Sequence, residues 1–380
     1  MSSMDTMETI DTKQILQQKN AELQQNINII LQKYSTKQNV FISSFYLGRD
    51  IFISFLFTLF MYSIQSHIYF PLWWLLYSIG QGTIWMGLWV LGHECGHGAF
   101  SKSTMINDAF GLCIHSFLLV PYYSWQYSHK KHHKYTNHLI LGETHVPSLK
   151  TKLQQSYIQN IYTFLGEDIF AFIFVCLRLF LGWNLYLLYN ESGGRTDFDG
   201  NRLDKKKSVS HFNPTSQIFP PTMYSRVVIS DIFIGIMMCG FICMDYMYGF
   251  GTSLQWYFGP YCIVNCWLVL YTYLHHTSEK LPHYGTDDFT WLQGALSTID
   301  RPYPYLIDEL HHHIGSTHII HHLNYKIPFH YAKKATEEIK YLLQDKYNFD
   351  DTNIFISLFQ TTKKCLYIES LEGTQYYKNK

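Results

Sequence analysis

Residues 69–97, YFPLWWLLYSIGQGTIWMGLWVLGHECGH, run from an apolar block straight into His93-Glu-Cys-Gly-His97. Residues 69–91 contain no Lys, Arg, Asp or Glu, and about 20 apolar residues are enough to carry a helix across a bilayer core. On a helix, positions i and i+4 share a face, so His93 and His97 aim their rings the same way. The stretch reads as a membrane helix that ends in a pair of metal-ligating imidazoles. The rest of the fold has to bring further ligands to that end.

Two more histidine groups supply them, His129-Lys-Lys-His132-His133 and His318-Ile-Ile-His321-His322. Histidine is 20 of 380 residues, and at that frequency two HxxHH triplets arise by chance with a probability of ~0.002, which removes coincidence as an explanation. Neutral imidazole suits zinc, copper, iron and nickel, and one tetrahedral zinc takes only three or four protein ligands, so eight histidines imply two metals. One group would satisfy a structural ion; two ions at a membrane face point to redox chemistry, and the reading is a pair of irons. His276, just past an apolar block, is a candidate ninth ligand. His311, His312 and His313 precede the third group by about two helical turns, which makes one of them a candidate hydrogen-bond partner for a ligand ring. His115, His138, His145, His211, His283 and His330 are isolated and read as structural or surface groups. His93-Glu-Cys-Gly-His97 also matches the HExxH zinc-protease motif, with Glu94 as general base and Asp199 as a nominal third ligand. That competing class leaves both HxxHH triplets unexplained, and a histidine-lined metal carrier is a further, non-enzymatic alternative.

Further apolar blocks lie at 51–66, 228–250 and 254–274, which with 69–91 make two transmembrane hairpins. All three histidine groups must meet on one side of the membrane, so an even number of crossings separates any two. Residues 105–121, short and interrupted by Asp108 and His115, are expected to be interfacial or re-entrant. Three candidates lie between the second and third groups. Residues 164–189 are set aside because Glu167, Asp168 and Arg178 disfavour a crossing, a central Arg or Asp costing ~2.5–3.5 kcal/mol. The expected fold is an all-α integral membrane protein with four transmembrane helices in two hairpins, a histidine-rich di-iron cap, and both termini and the cap cytosolic. Residues 1–42, rich in Gln, Asn, Lys and Thr and without a signal-peptide layout, read as a polar cytosolic segment, 43–370 as the catalytic domain and 371–380 as a polar tail. The loop over 191–225, with Gly193, Gly194, Pro214, Pro220 and Pro221, reads as a connection. A net charge of +0 carries no nucleic-acid footprint. The eight cysteines lie mostly inside apolar blocks and read as small hydrophobes in a reducing setting.

The residues resemble the membrane-bound fatty acid desaturases, and within them the oleate delta-12 (omega-6) group. The likeness runs through GHECGHGAFS at 92–101, HSFLLVPYYSWQYSHKKHH at 115–133, LGWNLYL at 181–187, YLHH at 273–276, LPHY at 281–284, GALSTIDR at 294–301, THIIHHL at 317–323 and KCLYIE at 364–369. Two positions depart from the delta-12 pattern. Gly98 stands where many delta-12 members carry a second His and omega-3 members carry Gly, and the Ile-Ile of the third box is closer to omega-3 enzymes. Glu94 and Pro121-Tyr-Tyr-Ser-Trp125 look like delta-12, and acyl hydroxylases, epoxygenases and acetylenases share the scaffold. The resemblance implies two irons held by His93, His97, His129, His132, His133, His318, His321, His322 and His276, with no catalytic side chain beyond these ligands. It implies a fatty acid desaturase domain over 43–370 that uses dioxygen and two electrons to place a cis double bond in an acyl-lipid or acyl-CoA chain. The chain has no GxGxxG nucleotide fingerprint, so the electrons are expected from cytochrome b5 and its NADH-dependent reductase. The implied location is the endoplasmic reticulum membrane, with Tyr376–Lys380 resembling an aromatic retention tail. Assembly as a homo- or hetero-oligomer is left open.

Overall fold

The computed structural model describes residues 22–154 and 157–379. It is mostly helical: α1 (residues 22–35), α2 (Val40–Ile64), α3 (Phe70–His97), α4 (Thr104–Phe117), α5 (Tyr122–Lys134), α6 (Lys150–Gln154), α7 (Tyr157–Leu165), α8 (Glu167–Tyr189), α9 (Tyr224–Tyr248), α10 (Gly259–His276), α11 (Trp291–Leu296), α12 (Tyr305–Leu310), α13 (His318–Leu323), α14 (Phe329–Leu343) and α15 (Ile354–Lys364). One small antiparallel pair joins His283–Tyr284 to Thr374–Gln375.

Helix α3 is the axis of the molecule. Its residues from Gln81 to Cys95 are all buried, packed chiefly against α10, α4 and α2. Two glycines permit that closeness. A Cβ on Gly82 would stand 2.5 Å from Ile263 and from the Pro260 carbonyl, and one on Gly92 would stand 2.3 Å from the His115 ring. At Gly98 the helix ends in the left-handed conformation, φ 69°, with its N–H returned to the Cys95 and Glu94 carbonyls. Glycine adopts that conformation without strain, which gives the departure at Gly98 a local structural reason.

By length and composition, three stretches among the described residues suffice to cross a membrane: Val40–His67, Glu167–Tyr189 and Pro221–Tyr248. The bent pair Thr104–Phe117 and Tyr122–Lys134, folded back by 104°, would be a fourth if it is a broken span. Its sharp bend at Pro121 is the shape expected of a re-entrant element. Block 164–189, set aside in the sequence, thus satisfies the criterion, while the blocks inside α3 and α10 do not. The physical reason lies in where the charges and the polar aromatics sit. Glu167 and Asp168 occupy the first turn of α8, where Asp168 pairs with Lys363 at 2.7 Å. Arg178 turns off the lipid-facing side onto Thr362 and the Tyr273 ring. α3 and α10 are enclosed by other helices over most of their length, so their Trp, Gly, Tyr and Asn residues need not suit lipid.

Described residues near both ends of the chain join the fold. Within the expected polar segment, Ile27, Leu31 and Tyr34 repeat at helical spacing and are buried against Ala335, Ile339 and Leu343 of α14. Residues 1–21 lie outside the described residues. The expected polar tail pairs its Thr374–Gln375 with His283–Tyr284.

The third histidine group is held by the TIDR stretch. Buried Asp300 accepts the Ile319 N–H at 2.8 Å at the start of α13 and the hydroxyl of Tyr347. Arg301, 2% exposed, reaches the Leu274 carbonyl at 3.3 Å, Ser357 Oγ at 2.9 Å and Asp350 at 2.6 Å. Asp300→Ala leaves a buried helix N–H without an acceptor, a loss of about 1–3 kcal/mol. The expected outcome is a lower thermal unfolding midpoint in detergent with disordering centred on α13; an unchanged midpoint would refute the anchoring role.

Candidate metal centre

Nine imidazoles converge where α3, α5, α10 and α13 end together. Their spacing on each helix sorts them into two sets. His93, His97, His129, His133 and His321 form one, and His132, His276 and His322 the other, each set's ligand atoms lying within 4.8 Å of one another. His318 joins the second through His276, with Nε2 to Nε2 at 3.0 Å. The i, i+4 pairs stay together, 93 with 97, 129 with 133 and 318 with 322, while His132 and His321 cross to the opposite set. A triplet HxxHH on a helix therefore serves two ions at once, sending two rings to one and the third to the other.

The Nε2 atoms face each other. His93 to His129 is 3.0 Å, His93 to His97 is 3.2 Å, His129 to His133 is 3.2 Å and His132 to His276 is 3.2 Å. A neutral Nε2 is either a donor or an acceptor, so His93 cannot satisfy two such neighbours at once, and the Nε2 atoms of His321 and His322 are buried without a partner. Burial first, then the neighbouring imidazoles, hold His318, His321 and His322 well below the usual imidazole range. Neutral imidazole is the form that binds metal. A cation in each set would take every one of these lone pairs, and the all-nitrogen donor set suits a di-iron centre.

The opposite ring nitrogens and the ring faces are also held. Thr144 Oγ1 meets His132 Nδ1 at 2.8 Å, and Thr136 Oγ1 meets His322 Nδ1 at 3.1 Å. Trp89 stacks on His93, Trp125 on His129, Tyr325 on His97 and His275 on His318. These supports were not picked out in the sequence, although Trp89 and Trp125 each precede a ligand by four residues and Thr136 follows His132 by four. That spacing was the available signal.

The remaining histidines are elsewhere occupied. His311 lies between Tyr271 and the Thr83 carbonyl, His312 pairs with Asp50 at 2.7 Å and His313 with Asp308 at 2.9 Å, so the expectation that one of the three would support a ligand ring is corrected. They lock α12 and the following turn to α2 and α3 instead. His211 meets Ser128, His138 accepts the Ile140 and Leu141 N–H groups, and His115 meets the Trp89 carbonyl. His283 packs on Tyr377, and His330 lies between Phe329 and Tyr331. His145, expected to be isolated, lines the cavity beside the ligands, its ring parallel to that of His276 at 6.4 Å and 5.8 Å from that of Tyr273. Glu94 lies on the Nδ1 side of His93 at 3.7 Å and accepts the Phe329 N–H, turned away from the ligand atoms. Asp199 is exposed in a loop. The geometry removes both supports of the protease alternative.

A cavity of about 330 Å³ opens from the second set and from His93 and His129. Its walls are mostly apolar, including Met86, Trp89, Trp183, Leu268, Val269 and Phe174, in the manner of a site for an apolar ligand.

A family model for fatty acid desaturases matches residues 68–350. The chain is 39% identical over 313 residues to a delta-12 fatty acid desaturase of Calendula officinalis, covering 81% of this chain and 77% of that protein. It is 37% identical over 358 residues to an oleoyl-12-hydroxylase of Ricinus communis, covering 90% and 86%. A delta-12 desaturase of Mortierella alpina is 34% identical over 316 residues, covering 80% and 77%.

Stripping metal from the protein with a chelator leaves the imidazole lone pairs opposed. The expected result is a lower unfolding midpoint that ferrous iron restores, by about 4 kcal/mol for a site held at a thousand times its dissociation constant. A midpoint indifferent to chelator and iron would show that the cluster binds no metal.

Proposed function

The chain belongs to the fatty acid desaturase family, and from that premise we propose that it converts oleoyl to linoleoyl chains, inserting a cis double bond at the delta-12 position. The observation that carries the reading is two sets of neutral imidazoles opening into one apolar cavity. His93, His97, His129, His133 and His321 would hold one iron, and His132, His276, His318 and His322 the other. Bound there, the metals supply dioxygen activation and the power to break unactivated C–H bonds. The protein's own part is positional. Trp89, Trp183, Leu268 and Val269 would hold adjacent methylenes beside the ligands, and the apolar wall excludes water from the reacting carbons. Thr144 and Thr136 fix the rotation of His132 and His322, so each ring presents Nε2 inward. Acid or base catalysis has no task at a methylene.

Each turnover consumes two external electrons, for which cytochrome b5 and its NADH-dependent reductase are the proposed source. The proposed setting is the endoplasmic reticulum, with four crossings made by α2, α3, α9 and α10 and with both termini and the metal centre cytosolic. What supports this arrangement is that all nine ligands meet. Crossings between any two groups must then be even in number, so one of α8, α9 and α10 does not cross; in this reading it is α8, laid along the bilayer face with its outer residues Phe172, Leu177, Phe180 and Leu181 exposed and its inner ones on the cavity. The Ricinus communis relative is named an oleoyl-12-hydroxylase, which makes hydroxylation at the same carbon the second reading. An omega-3 desaturation is the third, motivated by Gly98 and the Ile-Ile of the third box.

The test is expression in a yeast that makes oleate but no dienes, with double-bond positions read by gas chromatography and mass spectrometry. Linoleate is the expected product. A hydroxylated or acetylenic product, or a triene formed only from supplied linoleate, would replace the delta-12 reading with a sister activity. His132→Ala and His321→Ala are expected to abolish turnover and lower the iron bound per chain while the protein still inserts; near-normal activity in either would overturn the ligand assignment.

A further inference from the structure

Along α8 the residues Phe170, Phe174, Arg178, Gly182 and Tyr186 recur every fourth position and all line the cavity. That is one face of a helix, and its one charge is at the middle, the Tyr186 hydroxyl at its end being turned to Glu143. Arg178 is the single Lys or Arg on the cavity wall among the described residues. Its guanidinium reaches Thr362 Oγ1 at 2.9 Å and lies 4.0 Å over the Tyr273 ring. Among the described residues it has no carboxylate at ion-pair distance. Other polar groups gather around it. The hydroxyls of Tyr273, 4% exposed, and Thr277, 1% exposed, lack a hydrogen-bond partner of good geometry, although Tyr273 lies near Arg178 and Thr362 and Thr277 lies near Tyr377. Tyr377 comes in from the C-terminal segment, its hydroxyl 3.4 Å from the His145 carbonyl.

Arg178 is half-buried with no carboxylate beside it among the described residues, and the Tyr273 and Thr277 hydroxyls next to it are buried. An anion seated there would take charge-assisted hydrogen bonds from the guanidinium and the hydroxyls together. A guanidinium fork flanked by hydroxyl donors matches the oxygens of a phosphate, which accept several charge-assisted hydrogen bonds at once. A neutral ester carbonyl would leave the charge unanswered.

We propose that Arg178, Tyr273, Thr277, Thr362 and Tyr377 form a head-group subsite that binds the phosphate carried by the acyl substrate. The inference rests on the acyl-chain reading above and deepens it, since a phosphate belongs to both a phospholipid and a coenzyme A thioester. It also gives the site a measure. Arg178 precedes Trp183 by five residues, about 7.5 Å of helix, and Trp183 meets Trp89, which stacks on the ligand His93. A head group held at Arg178 sets how far along the chain the metals reach.

The experiment uses the full-length, iron-loaded protein in phospholipid-free detergent, with tryptophan fluorescence as readout because Trp89, Trp125 and Trp183 line the cavity. Oleoyl-lysophosphatidylcholine, oleoyl-coenzyme A, free oleate and methyl oleate are titrated in turn. Arg178→Gln is expected to weaken at least one phosphate-bearing ligand about ten-fold or more while leaving methyl oleate unchanged, and Arg178→Lys to recover part of the loss. The ligand that responds names the source of the phosphate. Thr362→Val, which keeps the cation, is expected to move the same ligand in the same direction by less. Equal affinities in parent and Arg178→Gln, an equal loss across all four ligands, or a loss confined to oleate would each overturn the subsite. A parent protein that binds none of the four would instead sink the acyl-chain reading, and the subsite with it.

Discussion

Everything in this molecule is arranged around nine neutral imidazoles whose lone pairs point at one another. Left alone, that arrangement is unfavourable: buried nitrogens at 3.0–3.2 Å compete for too few protons. A cation in each set would take those lone pairs and turn the cluster from a cost into a tie between the ligand ends of α3, α5, α10 and α13. The apolar packing of α3 against α10 and α4 only has to bring those ends within reach, which explains why glycines stand where backbones come closest.

The supports follow from the same constraint. An imidazole ligand needs its ring plane and its second nitrogen controlled, and the chain does this with indoles one helical turn before His93 and His129 and with hydroxyls from Thr136 and Thr144. The short α13 cannot orient itself, so Asp300 holds its first turn, and Asp300 is in turn held by Tyr347. The carboxylate that the motif places beside His93 turns the other way, onto a backbone N–H of α14. A sequence match to a protease motif is thereby consistent with a different chemistry, because the motif specifies residues and not which face of the ring they approach.

Helix α8 shows how one element is used on both faces. Its outer residues are those of a lipid-facing helix, and its inner stripe lines the cavity with a single charge in the middle. Arg178 counts against membrane contact when only composition is known. In three dimensions it turns onto Thr362 and Tyr273, and the C-terminal segment that reads as a loose polar tail contributes Tyr377 to the same wall.

The sequence by itself determined the helical character, the three histidine groups and their fitness to hold metal, because these depend on residue type and on spacings of three and four along one helix; which apolar blocks suit lipid it judged only in part, since α8 passes by composition where α3 and α10 do not. It also pointed to His276, which the fold brings to the second set. What only the tertiary structure decided is which imidazole faces which partner. The split of His132 from His129 and His133, the exclusion of His311, His312 and His313, the rotation of Glu94 and the gathering of Thr277, Thr362 and Tyr377 about Arg178 all join residues from separate elements. Spacing along a helix reports which side chains share a face, whereas what stands opposite that face is set by packing between elements far apart in the chain.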